Sequence, residues 1–230
     1  MRRPYFYFAI TLLAALFLAE FHPPSIAQQQ QIPKPPKNWE EKIAAFEKKD
    51  ELDPPPKNGI VFVGSSSIRK WNLTESFPGL PVINRGFGGS RISDTGKHLQ
   101  RVVLKHKPKI MVFYAGDNDI NDGVSVKQVV CDFCCVRCEL QKKLPTTRLV
   151  FIAIKPSIKR WSLYPKMAEA NRRIKCIADK DPLVDYVDIA TPMLGEDGTP
   201  RKELFHKDDL HLSPAGYELW NRLLLPYLNL

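Results

Sequence analysis

Five short apolar runs recur along the chain, and the segments between them carry apolar residues at helical intervals. The runs are GIVFVG (59–64), PVINRG (81–86), KIMVFYAG (109–116), RLVFIAIKP (148–156) and LVDYVDIA (183–190). Helical spacing marks 39–52, where Trp39, Ile43 and Phe46 fall on one face before Pro54-Pro55-Pro56 stops the pattern. It returns at 92–107, 124–143, 164–180 and 213–228, the last with Ser213 as N-cap and Pro214 at the first helical position. Apolar strands that alternate with longer helices cannot pair as hairpins. They predict an α/β fold with a parallel sheet covered by helices on both faces. With 230 residues, 43% of them hydrophobic, the chain fills one ordinary core rather than two.

The N-terminus has a different character. Met1-Arg2-Arg3 precedes an apolar stretch from Tyr5 to Ala19, and Ser25-Ile26-Ala27 supplies small residues before Gln28. This pattern predicts a signal peptide over 1–27 and an exported protein, periplasmic or secreted. The apolar stretch is short for a membrane span, which needs about 20 residues. An uncleaved N-terminal anchor is the alternative, and it would be the only membrane contact. Residues 28–38, rich in Gln and Pro, read as an extended tether, and 39–230 as the folded domain.

The net charge is +9. Arg2, Arg3 and Glu20 contribute +1 of it, so a chain beginning at Gln28 carries +8. The basic residues are scattered and lack interleaved aromatics, which predicts a solvated surface and no nucleic-acid partner. Cys131, Cys134, Cys135 and Cys138 follow i, i+3, i+4, i+7 and so share one helical face. Beside Val130, Phe133 and Leu140 that face reads as core, with no metal cluster. Five cysteines cannot all pair within one chain.

In open parallel sheets the chemistry collects where strands end at their C-terminal edge. That rule selects Gly64-Ser65-Ser66-Ser67, the stretch from Gly86 to Ser90, Gly116-Asp117-Asn118-Asp119, and the loop FHKDDLHLS (205–213). Together they hold what acyl transfer needs: a serine at a helix start, a histidine to take its proton, an acid to orient the imidazole, and glycine N–H groups with an asparagine amide as oxyanion donors.

In this order, the four blocks FVGSSSI, NRGFGGS, YAGDND and DDLH resemble those of the SGNH hydrolases, also called the GDSL esterase/lipase family. The resemblance spans roughly 39–230. It implies Ser66 as nucleophile, Gly89 and Asn118 as oxyanion-hole donors with the Ser66 N–H, and Asp208 and His211 as acid and base. Ser65 stands where the family has aspartate, and Ser67 where it has leucine. The resemblance further implies a flavodoxin-like three-layer α/β/α sandwich, a five-stranded parallel sheet of order 2-1-3-4-5, and ester hydrolysis without a metal or other cofactor. The expected substrate is an acyl ester of a small molecule, a carbohydrate or a lipid.

Each residue also admits a plainer reading. Ser66 could only cap a helix, Gly89 could only turn the chain, and Asn118 could bond its own loop. Asp117 and Asp119 read as loop-structuring. Asp209 competes with Asp208 as the acid. His98 and His106 fall on a helix and its basic end, where exposure is expected. Arg85, Arg91 and Trp161 are expected near the pocket. Two other functions fit parts of the pattern: a metal-dependent hydrolase with His206, Asp208, Asp209 and His211 as ligands, or a binding protein that kept the fold and lost turnover. Gly-x-Ser-x-Gly is absent, so the strained nucleophile elbow of α/β-hydrolases is not expected.

Overall fold

The computed structural model describes residues 34, 35 and 37–229, and the predicted signal peptide lies outside them. In chain order the elements are α1 (Glu40–Leu52), β1 (Ile60–Gly64), α2 (Ser66–Arg69), α3 (Leu73–Ser76), β2 (Val82–Gly86) and α4 (Ile92–Val102). Then come β3 (Ile110–Tyr114), α5 (Asp117–Asn121), α6 (Val126–Lys143), β4 (Arg148–Ile152), α7 (Tyr164–Ala178), β5 (Val184–Val187) and α8 (Pro214–Leu224). The five strands form one sheet of order β2-β1-β3-β4-β5, and every pairing is parallel.

Strand alternation separates two cores. Val61, Val63, Met111, Phe113, Leu149 and Phe151 face one way and pack with residues of α1, α4, α6 and α7. Ile60, Phe62, Ile110, Val112, Tyr114, Val150 and Ile152 face the other way, toward Ile68, Trp71, Leu73 and Phe77 near the first strand and toward Leu219 and Trp220 on α8. The result is the expected three-layer sandwich. Near-continuous apolar strands are the signature of a sheet buried on both faces. Helix α8 starts as its sequence predicts, with the Ser213 hydroxyl accepting from the Gly216 N–H at 3.2 Å and Pro214 inside the first turn.

Two expectations fail here. The cysteine face of α6 is not core. Val129, Phe133, Val136, Arg137 and Leu140 are the buried residues of this helix, while Cys131, Cys135 and Cys138 are exposed and Cys134 is half-buried. At 100° per residue the cysteine stripe lies opposite the Val129-Phe133-Val136-Leu140 stripe. Both stripes satisfy helical periodicity, and only the bulk of the aliphatic and aromatic side chains selects which one turns inward. His98 and His106 are the second case, since both imidazoles are buried rather than exposed.

Contacts with the body begin before Trp39. The Lys34 N–H donates to the Asp122 carbonyl at 3.1 Å, and Arg91 donates to the Lys34 carbonyl at 2.8 Å. Trp39 packs edge-on against Phe87, which leads into the loop after β2.

Candidate active site

The loop after β1 is shaped by Gly64. Its φ is +135°, and a Cβ there would stand 1.9 Å from the Tyr114 carbonyl oxygen, so only glycine lets β1 and β3 run so close at their ends. The Ser65 N–H then donates to that same carbonyl at 3.0 Å. The chain turns at once into the single turn of α2. Of the three serines, Ser65 and Ser67 are buried, at 0% and 1% exposure. Ser66 alone is partly open.

The loop that carries Asp208 and His211 is closed by backbone. Phe205 and Leu212 bridge, and the His206 N–H donates to the His211 carbonyl at 2.8 Å. Within it one Asp208 carboxylate oxygen accepts the N–H groups of Leu210 (3.1 Å) and His211 (2.9 Å). The other meets His211 Nδ1 at 2.5 Å. The imidazole is thereby aimed so that its Nε2 lies 3.2 Å from Ser66 Oγ. Burial would push the Asp208 carboxyl up, but the hydrogen bonds from the His211 ring and the two N–H groups hold it well below the usual carboxylate range. Asp209, the competing acid, pairs with Lys202 instead. The Tyr217 hydroxyl donates to the Ser67 carbonyl at 2.9 Å, which ties α8 to the serine loop.

The second and third blocks reach the same edge. Phe87 N–H donates to the Gly64 carbonyl at 2.8 Å, seating the loop after β2 beside the serines. Gly89 has φ +87°, the left-handed conformation that a side chain would strain. Asn118, at the start of α5, donates from Nδ2 to the Ser90 carbonyl at 3.0 Å, which joins the β3 and β2 loops. Among the described residues, the N–H groups of Ser66 and Gly89 donate to no protein acceptor, so both are free to meet an oxyanion.

Asp119 is loop-structuring, as expected. It is fully buried, accepts the Ile92 N–H at 3.1 Å, and burial pushes its carboxyl up to about 7. Asp117 does more than shape its loop. It is buried and accepts from Lys155 Nζ at 3.1 Å and from Arg160 at 2.9 Å. Arg160 also donates to Asn118 Oδ1 at 3.1 Å.

Sequence reasoning missed both cations, because it sought chemistry after four strands and left out the loop after β4. The edge rule itself would have pointed there. Of the three side chains expected near the pocket, Arg85 is paired with Asp50 and Arg91 with Asp122. Trp161 adjoins Arg160 in sequence and stacks on Tyr164 with centroids 5.0 Å apart.

The comparisons agree with this geometry. The model of the GDSL-like Lipase/Acylhydrolase family matches residues 64–219, more than half of the chain. A solved structure of a Streptococcus pneumonia protein named for platelet activating factor is 23% identical, with a TM-score of 0.74 over 82% of this chain and 92% of that one. A GDSL-like lipase from Bacteroides thetaiotaomicron is 17% identical, with a TM-score of 0.71 over 81% and 96%. An acetylxylan esterase from Geobacillus stearothermophilus is 16% identical, with a TM-score of 0.63 over 76% and 95%. No curated protein matches the sequence significantly. A parallel sheet of order 2-1-3-4-5, the four sequence blocks on one edge of it and a family match across that edge lead to one conclusion: the chain belongs to the GDSL-like lipase/acylhydrolase family, carboxylic ester hydrolases.

Proposed function

We propose that the chain is an exported serine esterase that cleaves an acyl ester through an acyl-Ser66 intermediate. One observation carries the assignment of the nucleophile: Ser66 Oγ is 3.2 Å from His211 Nε2, while the hydroxyl-bearing neighbours on either side are buried. In the proposed cycle His211 takes the Ser66 proton and the oxygen attacks the ester carbonyl. The negative charge on the tetrahedral carbon's oxygen is met by the N–H groups of Ser66 and Gly89 and the Asn118 amide. His211 passes its proton to the leaving alcohol, and water attacking the acyl group by the same route frees Ser66. Asp208 stays ionised throughout and steadies the imidazolium.

The ester is proposed to be that of a small molecule, an acetylated carbohydrate or a lysophospholipid. The acetylxylan esterase among the structural neighbours makes acetylated carbohydrate the first class to try. Among the described residues no helix is long and apolar enough to cross a membrane. Export rests on the 1–27 sequence pattern, and mature protein from the native host is expected to begin at Gln28.

The test combines p-nitrophenyl esters of graded chain length, acetylated polysaccharides and a fluorophosphonate probe. Ser66→Ala is expected to abolish hydrolysis and labelling, and His211→Ala to be about as damaging, because nucleophile and base act as one unit. Ser65→Ala and Ser67→Ala are expected to stay active. Adduct mapped to Ser65 or Ser67 with Ser66 unmodified would overturn the assignment.

A further inference from the structure

The geometry points to Arg160 as the positioning residue of the oxyanion site: we infer that its guanidinium fixes and polarises the Asn118 amide through which charge on the substrate oxygen is stabilised. The inference rests on the proposed role of Asn118 as an oxyanion donor.

An asparagine amide is nearly symmetric in shape, and a donor site works only if the NH2 end faces the substrate. Two neighbours settle the orientation of Asn118. The Ser90 carbonyl accepts from Nδ2 at 3.0 Å, and Arg160 Nη2 donates to Oδ1 at 3.1 Å. A flipped amide would set oxygen against the Ser90 carbonyl and NH2 against a guanidinium, two repulsions at once. In the observed orientation one N–H is taken by Ser90 and the other remains for the oxyanion.

Arg160 is itself held in place. Its Nη1 donates to Asp117 Oδ2 at 2.9 Å, and Lys155 Nζ donates to the same oxygen at 3.1 Å. The Asp117 and Lys155 side chains are 5% and 2% exposed, and Arg160 is 12% exposed. Burial would push the Asp117 carboxyl up, and the two cations beside it hold it down instead, so it stays an anion that anchors the guanidinium. The backbone adds a second anchor: Lys159 N–H donates to the Asp209 carbonyl at 3.0 Å, fastening the Arg160 loop to the loop of Asp208 and His211. A guanidinium on Oδ1 also draws electron density from the amide, which makes the free N–H a stronger donor at the moment charge develops. Arg160 acts through Asn118, and its effect belongs on turnover rather than on binding.

The experiment is a double-mutant cycle on ester hydrolysis, with Arg160→Met and Asn118→Ala alone and together, alongside Ser66→Ala. Loss of the Asn118 donor is expected to lower kcat about 10²–10³-fold. Arg160→Met is expected to lower kcat about 10–100-fold with KM within about threefold, and to cost less than about threefold once Asn118 is already alanine. Equal penalties in both backgrounds would overturn the inference while leaving the Ser66 assignment standing. Wild-type turnover in Asn118→Ala would overturn both the donor role and the inference. Activity in Ser66→Ala would instead overturn the reading on which they rest. Should Arg160→Met fail to fold, Arg160→Lys carries the same cycle, because one ammonium keeps the charge beside Asp117 but cannot also reach Asn118 in the guanidinium's planar fork.

Discussion

His106 couples the stability of this protein to pH in the acid range. Its imidazole is 6% exposed, and Arg85, Lys105 and the Asp50 carboxylate of α1 face it. Burial, reinforced by the Arg85 charge, lowers its pKa from 6.5 to about 4, against the opposing pull of Asp50. The unfolded chain therefore binds a proton between pH 6.5 and 4 that the folded chain refuses. A lowered histidine pKa contributes stability that is present above 6.5 and is lost as pH falls toward 4. For this single group the loss between pH 7.5 and 4.5 amounts to about 2–3 kcal/mol, a large part of a typical folding free energy.

Urea unfolding followed by tryptophan fluorescence at the two pH values measures the loss, and His106→Gln isolates it. The comparison with the variant matters because other groups titrate too. Asp119, raised to about 7, runs the opposite way and favours folding as pH falls. The variant is expected to lose about 2–3 kcal/mol less than the parent over this interval. Equal losses in the two proteins would refute the reasoning, since the buried neutral imidazole would then contribute nothing to the pH dependence.

Two further outcomes are expected from the structure. Cys131, Cys135, Cys138 and Cys176 are exposed, so a thiol reagent is expected to modify four cysteines in the native protein quickly and leave ester hydrolysis intact; protection of the α6 cysteines until unfolding would restore the core reading of that face. Gly64→Ala would force a Cβ to 1.9 Å from the Tyr114 carbonyl at a φ of +135°, and its cost is expected to exceed about 3 kcal/mol, read as a thermal-unfolding shift with loss of fluorophosphonate labelling.

The sequence by itself determined the layered fold and named most of the residues of the proposed site. Strand runs such as IVFVG and IMVFY have no polar face, so they had to be buried on both sides, and the intervening helices had to supply the cover. Ser213-Pro214 announced the start of α8 because capping is a local event, complete within one turn. Ser66, Gly89, Asn118, Asp208 and His211 were legible because each stands in a short ordered block. What the blocks could not say was which group meets which. The Ser66–His211 contact joins positions 145 residues apart, and only the sheet order brings their loops to one edge. The tertiary structure also separates Asp208 from Asp209: backbone N–H groups of the loop and the His211 ring hold the first carboxylate, while Lys202 takes the second. It turned the cysteine stripe of α6 outward, since two stripes of equal period compete and the bulkier apolar one gains more by burial. Arg160 belongs to the same class. It bonds Asn118 across 42 residues, and a lone arginine after a strand looks like any other until the fold closes around an amide that needs a donor on its oxygen.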